Sequence, residues 1–220
     1  RFIGKDALAA VGTASPVMNI VILSISGITI GAGVLMSNYY GAGDNDLLKK
    51  EVATVSVFGI FFSFAVAFIG IIISKRLVCI IQVPDEIQNI TAQYLSIIFI
   101  GTPFTYFYNA LASSLKSVGD SNTPLKFLVF SSLFNMASDI ILVGFLGFGI
   151  RCSAITTVIA QALSALLCII YIYIKVPVLS IPLKSFRIEK SLLKKTLSYG
   201  SITALQQSVQ PICKLLIQGA

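Results

Sequence analysis

The 220-residue chain is 56% hydrophobic and 11% charged, with a net charge of +7 and a mean hydropathy of +0.91. Soluble domains carry about 25% charged residues, so this composition excludes an ordinary soluble fold. The absence of histidine rules out imidazole catalysis and histidine-ligated metal within the sequence, and basic loops held in the cytoplasm account for the positive charge without a nucleic-acid partner.

Charge is confined to widely spaced bursts. No charged residue lies between Asp6 and Asp44, Glu51 and Lys75, Glu86 and Lys116, or Arg151 and Lys175, and each gap meets the roughly 20 residues that a spanning helix requires. The pattern predicts an all-α polytopic membrane protein, a helical bundle with about six transmembrane helices. In chain order the spans are Ala14–Asn38, Val52–Ile73, Thr91–Leu115, Leu125–Leu146, Cys152–Ile174 and Leu197–Gly219. Pro16 suits a first helical turn, and Pro103 predicts a kink in the third span. Tyr39, Tyr40, Tyr94, Tyr171, Tyr173 and Tyr199 fall near span ends, at headgroup depth. The sequence starts at Arg1 without a signal-peptide pattern and stops in an apolar segment, so it reads as a fragment of a longer membrane protein.

Alternate loops differ in basic content. Lys49, Lys50, Lys116, Lys126, Lys175, Lys184, Arg187, Lys190, Lys194 and Lys195 fall on one side; Arg1, Lys5, Lys75, Arg76 and Arg151 fall on the other. The richer set is assigned to the cytoplasm, so the first span runs inward and the fourth outward. Two turns on that side resemble one another, Tyr40-Gly41-Ala42-Gly43-Asp44 and Val118-Gly119-Asp120-Ser121-Asn122-Thr123-Pro124. In each, a left-handed Gly ends one helix and Asp, Asn or Thr caps the next, with Pro124 in the following first turn. Residues 175–198 read as a cytoplasmic linker. Leu183, Phe186, Leu193 and Leu197 share one side of its basic amphipathic stretch, as expected of an interfacial helix.

Polar residues recur at helical spacing on three spans. Thr102, Tyr106, Asn109 and Ser113 mark the third, Ser131, Asn135, Ser138 and Asp139 the fourth, and Ser153, Thr157, Gln161 and Ser164 the fifth. Lipid satisfies none of these groups, so the three faces are expected to turn toward one another or toward a polar cleft. Asp139 is the only charge between Lys126 and Arg151, and a carboxylate at that depth costs about 2.5–3.5 kcal/mol on insertion scales. A carboxylate with amide and hydroxyl oxygens suits an alkali cation. Desolvation also favours the protonated acid, so the same residue could instead carry H+. Gly27-x-x-x-Gly31, followed by Ala32 and Gly33, is a small-residue surface suited to close helix packing.

Four pieces together resemble the multidrug and toxic compound extrusion (MATE) family: Gly4-Lys5-Asp6-Ala7-Leu8-Ala9-Ala10-Val11-Gly12, Tyr39-Tyr40-Gly41-Ala42-Gly43-Asp44, Gly119-Asp120-Ser121-Asn122-Thr123-Pro124, and the pair Asn135 and Asp139. The resemblance implies a twelve-helix exporter of two six-helix lobes. Residues 1–174 would be the N-terminal lobe, from the end of its first helix through its sixth, and residues 199–220 the start of the C-terminal lobe. It implies a cation site at Asp139, Asn135 and Thr157, the residues that would hold Na+, completed by an Asp on the helix preceding Arg1. Asn109, Tyr106, Gln161 and Ser131 would line the cavity. This chain has Arg151-Cys152 where the family tends to have small residues. The implied activity is export of small organic cations or drugs in exchange for Na+ or H+, with no cofactor beyond the coupling ion. Its setting would be a multi-pass position in the cell membrane, on the family's pattern the bacterial inner membrane, with the second lobe and the lipid bilayer as partners. A lipid-linked oligosaccharide flippase of the same superfamily would share the layout but carry more basic residues in its cavity, where Lys214 is the only one deep in a span. A membrane-embedded enzyme would need a cluster of acids or a His at the membrane surface, which the sequence lacks.

Overall fold

The computed structural model describes the backbone of residues 4–180 and 188–218, and side chains over 9–180 and 188–207. It contains six α-helices: α1 (Gly4–Gly41), α2 (Asn45–Ile80), α3 (Asp85–Ser117), α4 (Asn122–Asp139), α5 (Ile150–Lys175) and α6 (Lys190–Gln218). A π-helical stretch, Ile140–Phe145, continues α4, and a 3-10 turn, Pro177–Leu179, follows α5.

Five segments are long and apolar enough to cross a membrane: Ala9–Gly41, Asn45–Ile80, Asp85–Ser117, Asn122–Phe145 and Ile150–Lys175. They cover the first five predicted spans, apart from Leu146 at the end of the fourth, and the first three run several residues past the apolar core. Hydropathy marks the hydrocarbon slab, whereas backbone hydrogen bonding carries the helix on into the interface. The sixth predicted span, as far as residue 218, lies along α6.

Two sequence expectations change. Pro16 lies well inside α1 rather than in its first turn, because the helix already begins at Gly4; neighbouring helices and local adjustment make such a proline tolerable in membranes. Residues 190–197, assigned to a linker, form the opening turns of α6, which passes residue 198 without interruption. Part of the amphipathic stretch, residues 183–187, lies outside the described residues. α3 is helical through Pro103.

The two similar turns follow from their residues. Gly43 adopts φ +75°, and Asp44 Oδ1 accepts from the Leu47 amide at 2.9 Å, capping α2. Gly119 adopts φ +94°, and Asp120 Oδ1 accepts from the Thr123 amide at 3.1 Å. Partial burial works against the Asp120 anion, but hydrogen bonds from the backbone and side chain of Thr123 and from Tyr171, with Lys126 nearby, hold its carboxyl below its ordinary value. Pro124 stands in the first turn of α4 and its carbonyl accepts from the Tyr108 hydroxyl at 3.0 Å.

The core lies among α1, α2, α3 and α5, where Ile25, Met36, Leu48, Val55, Tyr106 and Leu115 are fully or almost fully buried. α5 packs against both α3 and α4, while α3 and α4 barely meet. α4 is peripheral, with Leu125, Val129, Phe130, Leu133 and Met136 exposed, an apolar surface fit for lipid.

α6 lies along α1, and the small-residue surface makes that possible. A Cβ on Gly31 would collide with the Gly200 backbone and the Thr196 carbonyl, and one on Gly27 would sit 2.8 Å from Ala204 Cβ. Gly31→Val is therefore expected to lower stability by about 1–3 kcal/mol, the usual range for overpacking. Gly12→Ala, inside α1 where nothing lies within 4 Å, should not lower it, since Ala is favoured over Gly in a helix interior. Thermal unfolding of the purified protein in detergent measures both.

Candidate functional site

Asn135 and Asp139 are one helical turn apart, and Asp139 is the last residue of α4 before the backbone widens into the π-helical stretch. Across from them stand the first turns of α5, which restarts at Ile150 after a turn through Gly147 at φ +70°. Ser153, Thr156 and Thr157 are spaced i, i+3 and i+4, so they share one broad side of α5.

The two faces meet through hydrogen bonds. Ser153 Oγ donates to Asp139 Oδ2 at 2.8 Å, and Thr156 Oγ1 donates to Asp139 Oδ1. Asn135 Nδ2 donates to Thr156 Oγ1 at 3.2 Å and to Thr157 Oγ1 at 3.4 Å. Each carboxyl oxygen thus has one hydroxyl partner, and the Asn amide spans the two threonines. Thr156 and Thr157 also lie 2.9 and 2.8 Å from the Ser153 carbonyl. A hydroxyl has one proton to give, so Thr156 turns either to the carboxylate or to its own backbone. Asp139 and Asn135 are half-buried, and Thr156 is buried. Tyr94 on α3 lies within electrostatic reach of Asp139.

Of the residues expected to hold a cation, Asp139 and Asn135 share one cluster, and Thr157 joins it through Asn135. Thr156, one residue earlier, is the threonine that touches the carboxylate. Sequence reasoning passed over Thr156 and treated Ser153 only as part of a stripe. Adjacent threonines differ by about 100° around a helix axis, and both can reach α4 because Asn135 and Asp139 approach from slightly different angles.

The cavity-lining expectations disperse. Tyr106 does not face this cluster: it is fully buried against α2, its hydroxyl donating to the Val55 carbonyl at 3.1 Å and its ring filling the space beside Gly59. Asn109 Nδ2 donates to Thr105 O within α3 at 2.8 Å, and Ser131 Oγ donates to Phe127 O within α4 at 2.9 Å. Gln161 faces α3, its Oε1 close to Gly101. Among the described residues, Gln161 Oε1 and Thr102 Oγ1 are buried without a hydrogen-bond partner.

No group of three or more His, Cys, Asp or Glu gathers among the described residues, so a transition-metal centre has no ligands there. One carboxylate, hydroxyls and an amide oxygen form a hard-oxygen set that fits an alkali cation or a proton. Thr156→Val would strip one hydroxyl from Asp139 and one acceptor from Asn135, and is expected to lower stability by about 0.6–1.7 kcal/mol, the span of interhelical hydrogen bonds in membranes. Thr157→Val should cost less. Unfolding of the two variants in detergent, side by side, measures the difference.

A family model described as MatE matches residues 1–141. "Probable multidrug resistance protein YoeA" of Bacillus subtilis (strain 168) is 32% identical over 176 residues, covering 78% of this chain and 38% of that protein. "Multidrug export protein MepA" of Staphylococcus aureus (strain MRSA252) is 25% identical over 172 residues, covering 78% of this chain and 38% of that protein. The chain therefore spans about two-fifths of the length of these curated relatives. Among solved structures, the outward-facing conformation of a multidrug resistance MATE family transporter superposes with a TM-score of 0.88 at 23% identity, over 97% of this chain and 48% of that one. An inward-facing conformation gives 0.87 at 22%, over 93% and 47%. At such identity the likeness speaks for the fold.

Proposed function

Because the chain belongs to the MatE family, we propose that it forms the N-terminal lobe, and the first helix of a second lobe, of a secondary active exporter rather than an enzyme. The exporter moves small organic cations or drugs out across the cell membrane in exchange for Na+ or H+. The names of the relatives support the substrate class, and the five apolar helices support the setting.

The observation that carries the reading is the junction of Asp139 with Ser153 and Thr156, beside Asn135 and Thr157. These residues hold the coupling ion. A carboxylate this deep between apolar helices is costly, and its negative charge is best repaid by a cation or a proton. Asp139 supplies the charge, the hydroxyls of Ser153, Thr156 and Thr157 supply neutral oxygens, and Asn135 orients the threonines. In the orientation read from loop charge, Asp139 lies in the outer half of the bundle, so the ion loads from outside. It drives export only by binding one conformation of the lobe more tightly than the other. Thr156 lends itself to such a difference, since its one proton can face the carboxylate or the Ser153 carbonyl.

Asp139→Asn is expected to insert and fold normally while coupled efflux of a fluorescent organic cation falls to background. The measurement uses everted vesicles carrying the full-length product of the gene that encodes this sequence. Imposed Na+ and pH gradients, applied separately, identify the ion. Efflux from Asp139→Asn at the wild-type rate would remove Asp139 from the mechanism.

A further inference from the structure

A second acid is more deeply enclosed than Asp139 and has no part in the cluster described above. Glu51, in the second turn of α2, is 0% exposed. Its Oε1 accepts from the Thr196 hydroxyl of α6, and Thr196 is itself 0% exposed. Its Oε2 is buried and has no hydrogen-bond partner among the described residues. One turn further along α2, buried Thr54 accepts from the Glu189 amide at 3.2 Å, just ahead of α6. The start of α6 is thus clasped to α2 at two points, while Gly27 and Gly31 hold it against α1.

Among the described residues, few charges are available to neutralise Glu51. Lys195 on α6 is within electrostatic reach, but its side chain is exposed. Tyr39 on α1 and Tyr106 on α3 also lie within reach, and neither brings positive charge. Lys49 and Lys50 on α2 are exposed. A carboxylate enclosed with one donor for two oxygens favours its neutral form. Once α6 moves away, Thr196 leaves with it and the carboxyl meets water, where ionisation at about pH 4.3 is ordinary.

We propose that Glu51 is a proton-binding latch between the N-terminal lobe and α6: docking of α6 takes up one H+, and its release returns that H+ to the side assigned as cytoplasmic. The proposal rests on the reading of α6 as the first helix of a second, moving lobe. It concerns a different acid, at the other end of the bundle from Asp139, and works whichever ion Asp139 carries. Because only the docked state binds the proton above the ordinary carboxyl value, the docked-to-released ratio falls tenfold per pH unit above that value. The fall levels off at the pH where the docked acid itself ionises.

The test places spin labels on the full-length protein at Lys50→Cys and Ser198→Cys, with native cysteines replaced, in lipid nanodiscs. The distance distribution is then titrated with pH. The wild-type background should lose its short-distance population on that slope as pH rises. Glu51→Gln, a neutral stand-in that keeps an acceptor for Thr196, should hold the short distance at every pH. Thr196→Val removes the donor that favours the ionised form, so its levelling-off should move to higher pH. A flat wild-type titration, a slope that survives Glu51→Gln, or a Thr196→Val curve with an unshifted end point would each overturn the latch. The readout is a distance, so it is decided independently of whether Asp139→Asn stops efflux.

Discussion

Hydrocarbon offers no hydrogen bonds, so any polar group carried into the bilayer must find its partner within the protein. The place of α4 in this bundle follows from that constraint. Much of its surface is apolar and exposed, and it meets α3 at only a few points. What attaches it is a narrow face on α5, where Asp139 and Asn135 reach Ser153, Thr156 and Thr157. An apolar helix in lipid gains little from burial against another apolar helix. The polar face therefore helps fix both the partner and the rotation of α4, and the ion site proposed above uses the same atoms that hold the helix in place.

The spans were legible because bilayer thickness imposes a minimum length on uncharged sequence, and the gaps between charges recorded it. Gly43 and Gly119 were legible for a local reason: a left-handed turn after a helix favours Gly, and both adopt positive φ. Gly27 and Gly31 announced close packing, although only coordinates could name α6 as the helix they admit. Asn135 and Asp139 were readable from their one-turn spacing and their cost in lipid.

The differences between the pattern and the packing share a cause. Periodicity shows which residues occupy one face of a helix but leaves open which neighbour that face meets. Tyr106 shares a stripe with Asn109, yet its hydroxyl goes to the Val55 carbonyl on α2. Thr156 was hidden beside Thr157 because a residue next to a predicted position points about 100° away on an ideal helix. Glu51 drew no notice because its neighbours Lys49 and Lys50 make it resemble a solvated loop acid, and only the approach of α6 encloses it.

The backbone just past Asp139 has a geometric corollary. Residues 140–145 are wound in π-form, which accommodates one residue more per loop than the regular helix. Excising a single residue there would let the segment tighten into standard winding. A wide turn holds one residue more over the same full rotation, so the portions of α4 on either side would keep their bearing relative to each other. The loose coil is thus a place where the chain takes up a residue locally, leaving the face that carries the acid to the hydroxyls of α5 in phase with the helix around it.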